Sequence, residues 1–325
     1  MEPPHATTDP PTSRLAPSPT GDLHLGNVRT FLINWSLARN LDWRLVLRHE
    51  DLDVRRASVD KIDAIEDSLR WLGLDWDGPS IRQSDDLAPY HAAMKVLAGE
   101  GRVFRSQLSR RDVREAIEAP HAGGEIRFPP ELRPEPGPEW AFEHPSDGHR
   151  YAMPAGEEIV RDQLLGEHVY RPSDEIGDPV VWTREGCPAY QLAVVVDDHE
   201  HRVSDVIRGE DLLSSAARQQ RLGRALEFDL SPRWWHLPLV SDGEGRRLAK
   251  RDGDRGLQWY ADRGVTPARI IGLIGYRSGL RDDRTPMTLQ EFMRTIDVES
   301  LRSLVDRERA APCRILDEDH DWLVS

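Results

Sequence analysis

The first residues able to do chemistry form the string Arg14–Asn27, which runs Arg-Leu-Ala-Pro-Ser-Pro-Thr-Gly-Asp-Leu-His-Leu-Gly-Asn. Arg14-Leu15-Ala16 reads as a short strand and Pro17–Gly21 as a turn cluster. Leu25, Val28, Phe31 or Leu32, and Trp35 then recur at threes and fours, as on a helix. A strand that turns into a helix leaves unpaired backbone N–H groups at the helix N-terminus, with the positive end of the dipole behind them, which suits a phosphate. His24 and Asn27 can share one side of the first turn. Gly26 between them leaves room for a flat ring to approach the backbone. Taken alone, His24 reads as an exposed histidine beside a helix cap.

Three further groups follow. Arg48-His49-Glu50-Asp51-Leu52-Asp53 comes directly after a strand expected over 44–48. Carboxylates at the carboxyl end of a parallel strand sit where open α/β sheets bind ligands, although the same string also reads as a solvated acidic loop. The apolar run Leu192–Val196 reads as a buried strand ending at Asp197-Asp198-His199, a plain turn or a metal site. Three ligand-type residues in a row rarely converge on one ion. A second strand over Val203–Ile207 ends at Arg208, where a guanidinium can clamp a carboxylate through two N–H groups. Tyr190 has the look of a core-edge aromatic. Last comes Asp242–Gly253, a basic, glycine-punctuated loop that could neutralise charge on a polyphosphate or simply lie in solvent.

The elements around these groups set their positions. Ser58 can cap a helix whose apolar stripe is Ile62, Ile65, Leu69 and Leu72. Strand and helix alternate through the first third, which predicts an α/β fold with a parallel sheet covered by helices. Between 106 and 187 the rhythm breaks into charge clusters and a proline-rich stretch, as in an insertion. Strands return afterwards, with one expected over His236–Val240 and a helix over Ser215–Leu226 before it. Beyond 255 the pattern is helical, centred on Ile270, Ile271, Leu273 and Ile274. The expected organisation is a flexible tail (1–12), the first half of a sheet domain (13–105), an insertion (106–187), the second half with the basic loop (188–254) and a helical region (255–325).

Composition narrows the function. With 43 Lys and Arg against 57 Asp and Glu, the 325-residue chain carries a formal charge of −14, which argues against a protein that coats nucleic acid. A local basic patch remains possible against the net charge. Arg102, Arg105, Arg110, Arg111 and Arg114 are candidates for one, though they also read as a solvated helix face. Two cysteines, Cys187 and Cys313, support neither a disulfide framework nor a four-cysteine zinc site. No apolar run approaches the ~18 residues of a membrane span, and no leader pattern opens the chain. A cytoplasmic monomer that does not engage membranes is expected.

In their order, these segments resemble the class I aminoacyl-tRNA synthetases of the glutamyl branch over about residues 13–275. Arg14–Gly21 with His24-Leu25-Gly26-Asn27 resembles the branch's glutamate-binding turn and HIGH-type ATP signature; the basic loop resembles the KMSKS signature. The resemblance implies a Rossmann-type sheet split by an acceptor-binding-like insertion and followed by a stem-contact-like helical region. It further implies that Arg14, Ala16, Ser18, Glu50, Tyr190 and Arg208 bind glutamate, with Glu50 on the α-ammonium group. His24, Gly26, Asn27, Asp211, Arg247 and Lys250 would hold ATP, with His24 and Lys250 taking the catalytic part. Glutamyl-adenylate would form by attack on the α-phosphate, with Mg²⁺ accompanying ATP.

Two features refine the expectation. Only residues 255–325 follow the basic loop, where relatives carry a further anticodon-gripping portion, and the run Tyr190–His199 looks like the glutamyl-queuosine tRNA(Asp) synthetases. That subfamily glutamylates the queuosine base of the tRNA(Asp) anticodon loop. A shortened glutamyl-tRNA synthetase charging tRNA(Glu) and a non-catalytic synthetase-like binding protein are the alternatives. The basic loop departs from the family at Arg247, in place of lysine, and Ala249, in place of serine. Val103–Leu108 lacks the cysteines through which many relatives hold zinc, so zinc is not expected.

Overall fold

β1 (Thr12–Leu15) opens the fold and pairs in parallel with β2 (Arg44–His49), Arg14 beside Val46 and Leu15 beside Leu47. The computed structural model describes residues 10–53, 55–106, 108, 127–229, 231–248 and 255–325. The strand therefore starts at Thr12, inside the stretch expected as a tail. Helix α1 (Leu25–Asn40) crosses from β1 to β2, and α2 (Val59–Trp71) leads to the short β3 (Ile81–Arg82), parallel to β2. Ser58 occupies the N-cap position of α2 in extended backbone, although its side chain makes no capping bond.

After α3 (Ala88–Gly99) come β4 (Val103–Arg105) and β5 (His149–Tyr151), and a hairpin of β6 (Glu158–Asp162) and β7 (Gly166–Tyr170). The short helix α4 (Pro172–Glu175) then leads to β8 (Val180–Trp182). β4, β5 and β8 form a small antiparallel sheet. α5 (Tyr190–Glu200), β9 (Asp205–Gly209), α6 (Leu213–Ala225) and β10 (Arg233–Leu237) follow. β10 lies between β9 and β6, parallel to both. A strand from within 106–187 thus hydrogen-bonds into the sheet of the second half. The two parallel halves meet where the Ser204 N–H donates to the Thr12 carbonyl at 2.9 Å.

Three expectations need correction. The apolar run at Leu192–Val196 is the middle of helix α5, not a strand. A short run of valines has the same hydrophobic pattern in a buried strand and a buried helix, and its β-branched residues favour the wrong choice. The helix has a consequence: Asp197 and Asp198, which would point to opposite faces of a strand, are both buried and both reach Arg48. The strand expected over His236–Val240 ends at Leu237, because Pro238 has no N–H to continue the ladder. Arg208 lies within β9, whose last residue is Gly209, rather than after the strand.

The remaining helices are α7 (Leu257–Ala261), α8 (Pro267–Arg277), α9 (Leu289–Arg294), α10 (Val298–Ala310) and α11 (Asp317–Val324). Ile270, Ile271, Leu273 and Ile274 are buried in the same core as Val28 and Leu32 of α1 and Leu304 of α10. Gly272 makes the close approach possible: a Cβ there would sit 2.0 Å from the Thr285 carbonyl oxygen. Among the described residues, no helix is long and apolar enough to cross a membrane.

Candidate active site

At the carboxyl ends of β1, β2 and β9, bounded by the N-termini of α1 and α5, lies a cleft of about 760 Å³. This is where an open parallel sheet presents its ligand-binding edge. The residues expected to bind an amino acid, Arg14, Ala16, Ser18, Glu50, Tyr190 and Arg208, all line it. So do His24, Gly26, Asn27, Asp211 and Arg247 from the nucleotide set. Lys250 lies outside the described residues, as does Ala249.

His24 is itself the N-cap of α1. Its Nδ1 accepts from the backbone N–H groups of Gly26 at 3.1 Å and Asn27 at 3.3 Å, so its ring proton resides on Nε2. Amides expected to face a phosphate are thus already engaged by the imidazole, which carries the helix terminus one side chain further out. The flat ring over Gly26 is the His24 imidazole: a Cβ would stand 3.0 Å from its Cε1 and Nδ1.

Arg208 is 5% exposed. Its Nε–H donates to His236 Nε2 at 3.0 Å, Nη1 to Gln219 Oε1 at 2.9 Å and Nη2 to the Leu212 carbonyl at 3.0 Å. All three acceptors are neutral, and no described carboxylate lies in ion-pair reach of this guanidinium. Burial pushes its pKa down from the usual arginine range. A buried cation without a counter-ion is costly, and a guanidinium facing a cleft regains that cost from a carboxylate brought by a ligand.

Arg48 is fully buried and does not line the cleft. Its Nη1 donates to Asp198 Oδ1 at 2.6 Å, and Glu50 and Asp197 lie 3.6 and 3.7 Å from the same guanidinium. Asp197 also accepts from the Tyr90 hydroxyl and from Gln83 Nε2, both at 2.6 Å. Arg14 Nε stands 3.6 Å from Asp198 Oδ1. The Asp197-Asp198 pair is therefore neither a plain turn nor a metal site; it holds two arginines and, through Arg48, sets the place of Glu50. Burial pushes the Glu50 carboxyl up, so a cationic group arriving in the cleft would favour its ionised form.

Asp211 and Arg247 form an ion pair with each other at the cleft mouth. Arg105 is held bidentately by Glu139 at 2.5 and 2.6 Å, with Asp147 at 3.3 Å, and Arg102 lies 3.7 Å from Glu100. Arg105 is thus neutralised by carboxylates instead of presenting an open basic patch. Arg110, Arg111 and Arg114 lie outside the described residues.

Sequence reasoning singled out the group that begins at Arg48 without giving Arg48 a role, and it missed Gln83, Tyr90 and His236. Arg48 was within reach, being two residues before Glu50, near the end of β2. Gln83 and Tyr90 carry no local signal, since only the fold brings them to Asp197.

Residues 12–311 match the family described as tRNA synthetases class I (E and Q), catalytic domain. A Glutamyl-Q tRNA(Asp) synthetase of Rhodopirellula baltica is 39% identical over 306 residues, covering 90% of this chain and 92% of that protein. Glutamate–tRNA ligase 1 of Methylorubrum extorquens is 35% identical over 302 residues, 90% of this chain but 62% of its own length. The chain thus spans about three fifths of that relative. Among solved structures, a glutamate-tRNA synthetase from Elizabethkingia anophelis superposes with a TM-score of 0.77 at 24% identity, over 97% of this chain and 70% of that one, and shares the α/β fold.

Proposed function

The chain belongs to the class I tRNA synthetases of the E and Q group, sharing their catalytic domain, and on that footing we propose that it activates glutamate with ATP and transfers the glutamyl group to queuosine in tRNA(Asp). One observation carries the glutamate part: the buried Arg208 lines the cleft with only neutral partners, and Glu50, whose carboxyl an arriving cation would ionise, lines the same cleft. An amino acid with an extra carboxylate satisfies both. Its α-ammonium group meets Glu50, and its carboxylates meet Arg208 and Arg14, with Ala16, Ser18 and Tyr190 closing around it.

ATP enters over the N-terminus of α1, against His24, Gly26 and Asn27, with Asp211 and Arg247 at the mouth; Lys250 is assigned to its phosphates by the resemblance of the basic loop alone. A glutamate carboxylate oxygen attacks the α-phosphorus in line; a carboxyl–phosphate anhydride forms and pyrophosphate leaves. Transfer to the tRNA acceptor releases AMP. No side-chain nucleophile is needed, so this chain contributes positioning and charge. Mg²⁺, travelling with ATP, supplies neutralisation of the triphosphate.

The choice of tRNA(Asp) rests on the match to the Rhodopirellula protein, which extends over 92% of it. The matches to glutamate–tRNA ligases support charging of tRNA(Glu) as the second reading. Glutamate transfer onto tRNA from a queuosine-containing strain, compared with the same tRNA lacking queuosine, separates the two. Labelling of the modified pool alone is the expected result; equal labelling of both pools turns the reading to tRNA(Glu). No pyrophosphate exchange with glutamate would leave a binding protein. Lys250→Ala is expected to abolish most of the exchange, and its indifference would overturn the place given to the basic loop. As a catalyst acting on tRNA, the protein would work in the cytoplasm, as a monomer.

A further inference from the structure

Behind Arg208, on the side away from the cleft, stand two residues that no motif marked. His236 of β10 is fully buried, and its Nδ1 lies 2.6 Å from Asp162 Oδ2 of β6. Asp162 accepts four N–H groups: His236 Nδ1–H and backbone N–H through Oδ2, and the backbone N–H groups of Leu164 and Leu165 through Oδ1, both at 2.9 Å. Such a carboxylate is a pure acceptor. It therefore fixes the imidazole proton on Nδ1 and turns the Nε2 lone pair outward. That lone pair accepts the Arg208 Nε–H at 3.0 Å. Trp234, next but one on the same strand, lies under the guanidinium at 4.8 Å.

We infer that Asp162 and His236 are a positioning pair for substrate recognition, orienting Arg208 from behind so that its remaining N–H groups meet the substrate's carboxylate. The inference rests on the glutamate reading above. Of the five N–H groups of the guanidinium, three are spent on His236, Gln219 and Leu212. One remains on each terminal nitrogen, the pair needed for bidentate recognition. The opposite tautomer, or an imidazolium, would aim an N–H at the Arg208 Nε–H and rotate the fork. Burial pushes the His236 pKa down, which keeps the ring neutral and accepting. Neither residue touches the cleft, so both act only through Arg208.

Two measurements test this. In the first, the ¹⁵N-histidine-labelled full chain is examined by long-range ¹H–¹⁵N correlation at neutral pH, with His236 assigned by loss of its signals in His236→Gln. The expected state is neutral, protonated at Nδ1; an Nε2-protonated or cationic ring overturns the pair whatever the substrate is. In the second, pyrophosphate exchange is followed for the wild type, His236→Leu and His236→Gln. Exchange by the wild type establishes the glutamate reading; its absence overturns that reading and with it the substrate role, while the tautomer measurement still decides the pair. Loss of one hydrogen bond to a charged group should raise the glutamate KM of His236→Leu about tenfold or more. The ATP KM should stay near the wild-type value. His236→Gln, whose Oε1 can take the place of Nε2, should recover part of the loss. Unchanged glutamate KM, or glutamate and ATP KM rising together with a lowered Tm, would reduce the pair to a structural role. If both variants fail to fold, the tautomer alone decides.

Discussion

Arg29 of α1 reaches Glu308 of α10 across the whole chain, Nη2 to Oε1 at 2.5 Å, with both side chains buried. Its other nitrogens donate to Ser278 Oγ at 3.0 Å and to the Pro238 carbonyl at 2.8 Å. One side chain on the cleft wall therefore ties α1, the end of β10 and the C-terminal helices together. Glu308 Oε2 has no partner among the described residues. Arg29→Met would strand this carboxylate and should cost about 3–5 kcal/mol in urea unfolding at neutral pH. Glu308→Gln should cost less, because Arg29 keeps two acceptors. Burial already pushes the Glu308 carboxyl up, so the Arg29→Met penalty should shrink as the pH is lowered and the acid becomes neutral.

The C-terminal helices share their core with α1, so they are not an appended module. Leu289, Phe292, Ile296, Leu301 and Leu304 pack in the same cluster as Leu25, Val28 and Leu32. A chain ended at Thr288 is expected to lose its cooperative thermal transition and to expose apolar surface to a dye. A sharp transition near the full-length Tm would contradict the shared core.

Gly26→Ala tests the histidine cap. The added methyl, 3.0 Å from the imidazole, crowds the ring and should displace His24 from the two amides it accepts from. Loss of a cap should cost about 1 kcal/mol of stability. If ATP is held where proposed, its KM should rise well beyond what that small loss explains. An unchanged ATP KM would show that the His24 cap has no part in nucleotide binding.

Stability should fall as the pH drops below about 6.5, the ordinary histidine value. His49 and His236 are fully buried, and burial pushes both of their pKa values down. In that window the unfolded chain takes up protons that the folded chain refuses, so unfolding free energy rises with pH. The slope is at most about 1.4 kcal/mol per pH unit for each histidine. The loss deepens until the pH reaches the depressed folded-state values. Urea unfolding at several pH values should show a shallower slope in His49→Gln than in the wild type, and equal slopes would remove His49 from the account.

Arg208→Lys keeps a positive charge but loses the planar fork. Lysine can reach only part of the acceptor set of His236, Gln219 and Leu212, and it cannot grip a carboxylate through two nitrogens. Glutamate-dependent exchange should fall about a hundredfold in kcat/KM. Near-normal kcat/KM would mean that Arg208 does not hold the substrate.

Much of the site was legible because it is written locally. The turn from Pro17 to Gly21, the helix that begins at Leu25, and Glu50 just beyond β2 depend on residues within a few positions of one another. Periodicity and turn chemistry report such short-range geometry well. Leu192–Val196 was misread because a short buried apolar run has no period to separate helix from strand. Its helix matters chemically, since only α5 delivers Asp197 and Asp198 together to Arg48.

The sequence by itself determined the rhythm of strands and helices, the turn before α1 and many of the residues that line the cleft. Only the tertiary structure decided what holds those side chains in place. His236 and Asp162 are 74 positions apart, and Arg48 and Asp198 are 150 apart. Whether such groups meet depends on which strands become neighbours and which helix closes over them. A buried charge has no preferred local sequence: its partners are set by what else is excluded from water at the same place.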